Sequence, residues 1–221
     1  MRAEFDRPEH PPRVIVLSTL HQFHEQVECY GYAVLERIIR RLSPDVLLLE
    51  VSQEDLDARA HEQVKREYPA VVYPLIDALR IPAYPLEPSG EIRDMLIRRK
   101  RAAEQTLQES GKYEDCASFL QQWLDDLFAN WSTPADVNSA RTDAEVLSKN
   151  EAMHALYAPD YALVWDEWNQ HFLDRIAQVI ECDRPRLTLV LVGLAHSYWL
   201  KRRLAECPGL ELVDEPHLSF T

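Results

Sequence analysis

The stretch VIVLSTLHQFHEQVECYGYAVLERIIRRLSPDVLLLE, residues 14–50, decides the fold class. Its first four residues are apolar and mostly β-branched, which is typical of a buried strand. Apolar residues then recur at helical spacing through residues 25–42, which predicts an amphipathic helix that ends before Pro44. Residues 46–49 are again a continuous apolar run and predict a second buried strand. The order strand, helix, strand predicts a right-handed βαβ unit with parallel strands.

Three further apolar segments extend the predicted sheet. Residues 81–86 predict a weaker strand, whose two prolines suit an edge position. Residues 187–192 have the clearest strand pattern in the chain, and residues 210–213 predict a short last strand. The predicted helices after the βαβ unit span residues 52–66, 71–80, 91–109, 113–131, 143–156, 161–181 and 197–206. We therefore predict a single α/β domain over residues 1–221, with a mostly parallel central sheet flanked by helices and a helical insertion or cap at about 91–181.

Composition and charge argue against several classes of protein. The 221 residues are 46% hydrophobic and 28% charged, and a chain of this length buries a sizeable core without disulfides or a structural metal. The net charge is −13, so we expect no nucleic-acid partner, because that affinity depends on clustered lysine and arginine. The basic run at 98–101 lies in a helical stretch and is interpreted as a solvated face. The four cysteines have no C-x-x-C spacing, which favours reduced thiols.

Membrane and secretion patterns are not found in this sequence. No stretch of about 18 apolar residues occurs, so we predict no membrane-spanning helix. The first 13 residues are charged and proline-rich, which argues against a secretory signal and for a cytoplasmic protein. The oligomeric state stays open, because the aromatic and leucine stripes of the middle helices suit a homodimer interface as well as a cap.

Chemically active side chains follow each of the four main predicted strands. His21 comes a short turn after the first strand, and Glu50 and Glu87 come directly after the second and third. His196 follows the strongest strand after a glycine turn. Parallel strands deliver their carboxyl ends to one edge of a sheet, where open α/β folds bind ligands. We therefore predict that these four side chains converge on one site.

The residue types at this predicted site suit two kinds of chemistry. Imidazole and carboxylate are common ligands of Zn, Mn, Fe and Co, and such a metal turns a bound water into a hydroxide nucleophile. Without a metal, a histidine beside a carboxylate acts as a general base towards water or a substrate hydroxyl. The residues alone leave both open.

Each of these residues also has a structural interpretation. His21 would cap the helix predicted from residue 25, and Glu50 would pair with an arginine such as Arg59 or Arg13, because an unpaired buried carboxylate is costly. His196 begins a predicted helix, whose free backbone N–H groups attract an anion.

Among the other histidines, His24 is interpreted either as a fourth site member or as a surface residue. The remaining ones are interpreted as surface or core residues: His10, His61, His154, His171 and His217.

The segments around the predicted site resemble the Tiki/TraB superfamily, which includes ChaN-like and erythromycin-esterase-like proteins. That superfamily has one G-x-x-H near its N-terminus, a second in its last strand-turn-helix, and a glutamate that ends the second strand. Here residues 193–196 read Gly-Leu-Ala-His and Glu50 matches the glutamate, while Ser18 stands in place of the first glycine before His21. The Leu-Glu pair that ends at Glu87 also resembles a motif of the superfamily. Residues 168–173 resemble its arginine-asparagine helix, with tryptophan in place of the arginine.

The resemblance implies an α/β fold and several activities, because the superfamily includes metal-dependent peptidases, esterase-like enzymes and haem-binding proteins. Our leading hypothesis is a metal-dependent hydrolase of a small-molecule or peptide substrate. His21, Glu50 and His196 would bind a divalent Mn, Co, Zn or Fe ion, with Glu87 as second ligand or base. One alternative is a metal-free hydrolase or transferase with a histidine base oriented by Glu50. Another is a haem-binding or ligand-binding protein with axial histidines.

Overall fold

Five parallel strands form one sheet in the part of the chain that the computed structural model describes, residues 11–60, 63–157 and 159–213. The strands are β1 (Arg13–Thr19), β2 (Val46–Leu49), β3 (Ala83–Pro85), β4 (Leu187–Gly193) and β5 (Glu211–Leu212). Their order across the sheet is β3-β2-β4-β1-β5, and every pairing is parallel. The predicted α/β fold with a mostly parallel sheet flanked by helices is therefore confirmed. The proline-containing β3 lies at an edge, as predicted.

Most helices agree with the predicted segments, but two near the start of the chain have different bounds, and a short helix at Pro134–Val137 has no predicted counterpart. The helices are α1 (Tyr32–Leu42), α2 (Gln53–Ala58), α3 (Tyr73–Leu79), α4 (Gly90–Glu109), α5 (Tyr113–Ala129), α6 (Pro134–Val137), α7 (Ala140–Leu156), α8 (Pro159–Asp183) and α9 (Leu194–Ala205). The helix predicted from residue 25 begins only at residue 32, because two short 3₁₀ turns, His21–Glu25 and Glu28–Tyr30, precede it. The helix predicted for 52–66 ends at Ala58, since Arg59 adopts a left-handed conformation there.

Helices cover both faces of the sheet. On one face, α1 and α3 pack against alternate strand residues, and Leu35, Ile39 and Leu47 are fully buried there. On the other face, α8 and α9 cover the intervening strand residues through side chains such as Phe172 and Leu200. Part of the middle region, α8, is thus a layer of the fold itself, and α4 packs along it.

The order of the strands places a crevice between β1 and β4. The helix after β1 covers one face of the sheet, and the helix after β4 covers the other. Such a reversal is the topological switch point at which open α/β sheets bind ligands. In register, Thr19 of β1 lies opposite Gly193 of β4, so the segments that carry His21 and His196 begin side by side.

Among the helices of the described ranges, none combines the length and the apolar composition of a bilayer span.

Candidate functional site

The four predicted side chains lie together in one pocket at the carboxyl ends of the strands. His21, Glu50, Glu87 and His196 all line a cavity of about 490 Å³. The structure therefore brings together all of the residues that the strand pattern places at this edge of the sheet.

The carboxylate of Glu50 is the centre of the site. Its Oε1 lies 3.3 Å from Nζ of Lys65, 3.7 Å from Nε2 of His21 and 4.0 Å from Nε2 of His196. Its Oε2 accepts a hydrogen bond from the backbone N–H of Gly193, the residue that caps the start of α9. Burial alone would raise the pKa of Glu50, but Lys65, the two imidazoles and this N–H lower it to about 2. Glu50 is therefore ionised although it is buried.

Gly193 is required by the close approach of side chains rather than by its own backbone angles. Its φ of −57° is accessible to any residue. A Cβ at this position would lie 2.5 Å from Nε2 of His21 and 3.2 Å from Oε2 of Glu50. The glycine of the second motif thus leaves room for the histidine that follows β1.

His21 is held in a strained conformation by a buried partner. Its φ is +51°, in the left-handed region that non-glycine residues seldom adopt. Its Nδ1 lies 2.8 Å from Oε1 of the fully buried Glu67. Burial lowers the pKa of His21, but the hydrogen bond to Glu67 and the charge of Glu50 outweigh it and raise the pKa above the usual 6.5. Ser43, Arg59 and Arg80 adopt the same conformation where helices end, whereas His21 adopts it beside Glu50 at the carboxyl ends of the strands.

His196 has a fixed tautomer and the opposite pKa shift. The side-chain amide of Asn169 donates to the backbone oxygen of Trp165, so its Oδ1 faces Nδ1 of His196 at 2.9 Å. Nδ1 of His196 therefore carries the proton, and Nε2 presents a lone pair towards Glu50. The ring stacks on Trp165 at 5.9 Å between centroids. Burial lowers the pKa of His196 to about 4 despite the nearby Glu50, so the ring is neutral at pH 7.

Lys65 connects the two glutamates of the site. Its buried ammonium donates to Oε1 of Glu87 and, at 2.8 Å, to the backbone oxygen of Glu50. Nε of Arg93 lies 3.8 Å from the other oxygen of Glu87. Glu87 is thus a buried counter-ion of two cations, and this geometry does not favour the predicted role as a base.

Sequence reasoning missed Lys65 and Glu67. Both fall at or just beyond the end of the helix predicted for 52–66, where charged residues resemble a solvated face. The structure instead turns the chain inwards, because Tyr68, Val71 and Val72 are buried in the core. The apolar residues that directly follow Lys65 and Glu67 are the sequence feature that indicates that this segment enters the core.

Other sequence interpretations are corrected. His24 is neither a site member nor a surface residue: it is buried, accepts a 3.0 Å hydrogen bond from the N–H of Leu20, and its Nδ1 lies 2.6 Å from the backbone oxygen of Tyr30. Arg59 does not pair with Glu50, because it binds Asp77 at 2.7 Å. His154 and His171 are half-buried, so their interpretation as surface or core residues needs no correction. His10, His61 and His217 lie outside the described residues.

Comparisons with protein-family models, with curated proteins and with solved structures gave no match.

The side chains at this site are of the types that bind a metal ion, but they are not arranged as a metal site. Two imidazoles and one carboxylate are ordinary ligands of a divalent transition metal. Within the described ranges, however, no group of three or more His, Cys, Asp or Glu side chains has the arrangement of a metal site. The ammonium of Lys65 also lies 3.3 Å from the oxygen of Glu50 that both imidazoles face.

Proposed function

We propose that this protein is a hydrolase that activates water between His21, Glu50 and His196. One observation carries the proposal. The Nε2 atoms of both histidines face Oε1 of Glu50 at 3.7 and 4.0 Å, beyond hydrogen-bond distance, in an open pocket. Polar groups at this separation are commonly bridged by a water molecule. A water held there has three polar partners and is accessible to a substrate.

The opposite pKa shifts of the two histidines divide the acid and base roles between them. His196 is neutral at pH 7 and its Nε2 accepts a proton, so it is the base for the attacking water. The imidazolium that forms is stabilised by Glu50, 4.0 Å away. His21, whose pKa is raised, holds a proton that it donates to the leaving group. After product release, His196 returns one proton to solvent and His21 takes one up.

These roles predict a bell-shaped pH profile of kcat/KM. Activity falls as pH decreases towards about 4, because His196 becomes protonated. It also falls as pH rises through the raised pKa of His21, because the acid loses its proton. The measurement is the hydrolysis of an alkyl ester such as ethyl butyrate, whose alkoxide leaving group needs a proton, by the full chain and by His196→Ala, with the uncatalysed rate subtracted at each pH. Activity that increases steadily above pH 8, or a variant as active as the wild type, would contradict the proposal.

A metal-dependent hydrolase is the second candidate, and a specific observation favours it. Each histidine is fixed through Nδ1 by an outer acceptor and turns Nε2 inwards, as metal-binding histidines do. His21, Glu50 and His196 would hold the ion, which would supply a bound hydroxide. The positive charge of Lys65 at Glu50 opposes a second cation, which places this candidate second.

Elemental analysis of protein purified without a histidine tag separates the two candidates. The leading proposal expects no stoichiometric Mn, Fe, Co or Zn and activity that resists chelators. A stoichiometric metal whose removal abolishes activity would replace it by the second candidate. Membership of the Tiki/TraB superfamily is part of both proposals, and its support is the placement of two histidine segments around one glutamate at the switch point.

A further inference from the structure

Beyond His21, Glu50 and His196, the pocket continues between the long helices α4 and α8. The wall formed by α4 is mostly charged and contains Arg93, Ile97, Lys100, Arg101 and Glu104. The wall formed by α8 is mostly aromatic and contains Tyr161, Val164, Trp165 and Trp168. Arg99 fixes the two helices to each other through hydrogen bonds to Asp160 and Glu167. The pocket therefore has one wall rich in cations and a facing wall rich in aromatic rings.

The cations of α4 lie at different depths. Arg93 is at the inner end, since its Nε is 3.8 Å from Glu87, the counter-ion of Lys65. A helix rises by 1.5 Å per residue, so Arg101 lies about 12 Å farther along α4. Arg99 binds Asp160 near the start of α8, which places this outer part of α4 beside Tyr161.

Arg101 is the principal cation on the lining of the outer rim. Lys100 and Glu104 form a loose pair at 3.9 Å, and their side chains are 51% and 39% exposed, so this pair contributes little. Arg101 lines the pocket from an exposed position. Arg101 therefore supplies the charge that lines the rim, while the neighbouring Arg99, Asp160 and Glu167 together carry one negative charge outside the pocket lining. A guanidinium on the pocket wall attracts an anionic group that approaches it closely.

We propose that the substrate is an amphiphilic ester or amide with a terminal carboxylate on the order of 10 Å from the scissile bond, because the helix rise separates Arg93 from Arg101 by about 12 Å. The inference rests on the proposed hydrolase function. The scissile group lies at Glu50, the apolar body lies against Trp165 and Trp168, and the carboxylate reaches Arg101 at the rim. A single carboxylate suits Arg101, whereas a dianion would be repelled by Glu104 in the same lining. The volume of about 490 Å³ is that of a small-molecule site.

The test uses two esters of equal chain length that differ only in the terminal group: 4-nitrophenyl octanoate and the mono-4-nitrophenyl ester of suberic acid. The wild type is expected to prefer the suberate ester in kcat/KM by about fivefold, the effect of one partly exposed ion pair. Arg101→Glu should remove that preference. The matched control is Arg98→Glu, because Arg98 is exposed on the same helix and is not among the residues that line the pocket. This control should leave the preference unchanged.

Binding is measured separately with the mono-4-nitroanilide of suberic acid, through quenching of tryptophan fluorescence. If neither ester is hydrolysed but the anilide binds more weakly to Arg101→Glu, the substrate class stands and the hydrolase proposal fails. If both esters are hydrolysed equally and Arg101→Glu changes neither rate, the substrate class is overturned and the hydrolase proposal stands. An equal loss of the preference for the suberate ester in Arg101→Glu and Arg98→Glu would also overturn the substrate class, because it would reflect the net charge of the protein alone.

Discussion

Replacing Gly193 with alanine places one methyl group between the two histidine segments of the site. The added Cβ would lie 2.5 Å from Nε2 of His21, a distance that side chains do not tolerate. It would lie 3.2 Å from Oε2 of Glu50, which is tight but tolerable. Because φ of Gly193 is −57°, the backbone accepts alanine without strain. The substitution therefore acts on the position of His21 and leaves the fold in place.

The size of the effect follows from the distance that His21 must move. An ordinary contact begins at 3.4 Å, so the ring has to shift by about 0.9 Å, and a misplacement of about 1 Å costs on the order of 10²-fold in rate. Glu67 opposes the shift, since it holds Nδ1 at 2.8 Å. Weakening this hydrogen bond lowers the free energy of unfolding by about 1–2 kcal/mol. We expect a folded variant with about 1% of the wild-type kcat.

Two measurements check this expectation. The first is kcat for an alkyl ester such as ethyl butyrate, whose leaving group needs a proton, and the second, which needs no substrate, is the NMR resonance of the His21 ring and its titration. The control is Gly31→Ala, because the nearest atoms to an added Cβ there are backbone oxygens at 3.6 and 3.8 Å. It should retain activity and lose less than about 1 kcal/mol of stability. A Gly193→Ala variant with wild-type kcat and an unmoved His21 resonance would refute the reasoning.

Three further substitutions address the partners of the histidines and of the central carboxylate. Glu67→Gln keeps a hydrogen-bond partner for His21 but removes the charge, so an NMR titration should show a lower pKa of His21 and kcat should fall about 10²-fold. Asn169→Asp adds a negative charge at Nδ1 of His196, so its pKa should rise from about 4 and the acid limb of the pH profile should move to higher pH. Lys65→Met leaves two buried carboxylates without this cation, so urea denaturation should show a loss of about 3–5 kcal/mol.

Controls separate these effects from general damage to the fold. Arg40→Met breaks an exposed pair with Glu36 on α1 and should cost less than about 1 kcal/mol. A loss for Lys65→Met no larger than this would show that the buried cation contributes no special stability. A pKa of His21 that stays raised in Glu67→Gln would show that another group causes the shift.

The sheet and the position of the site could be predicted because both depend on local patterns. Continuous apolar runs identify parallel strands, and the residues that follow these runs must lie at one edge of the sheet. His21, Glu50 and His196 were predicted at that edge on this basis alone. The order of the strands could not be predicted from these patterns. In the structure β4 inserts between β1 and β2, which brings the segment after β1 into contact with the segment after β4.

The inner partners could not be predicted because they depend on a turn rather than on a periodic pattern. The helix predicted for 52–66 ends eight residues early at a left-handed Arg59, and the chain then turns back into the core. Lys65 and Glu67 thereby become buried although their sequence context is charged. The residue that orients His196 is Asn169, in the segment 168–173 that the sequence indicates only through a resemblance. The apolar stripe of its helix explains the residue pattern there without any site.

The free-energy cost of placing His21 beside the buried Glu50 indicates a functional role for the pair. A buried carboxylate needs partners, and Lys65 together with the N–H of Gly193 already supplies them to Glu50. A purely structural role would need neither imidazole, yet His21 adopts a left-handed conformation that brings its Nε2 to 3.7 Å from this carboxylate. Strain of about 1–3 kcal/mol persists only where the surroundings fix it. Here the surroundings fix His21 beyond hydrogen-bond distance of Glu50, which is stable if a third group, such as a water or a substrate atom, bridges the gap.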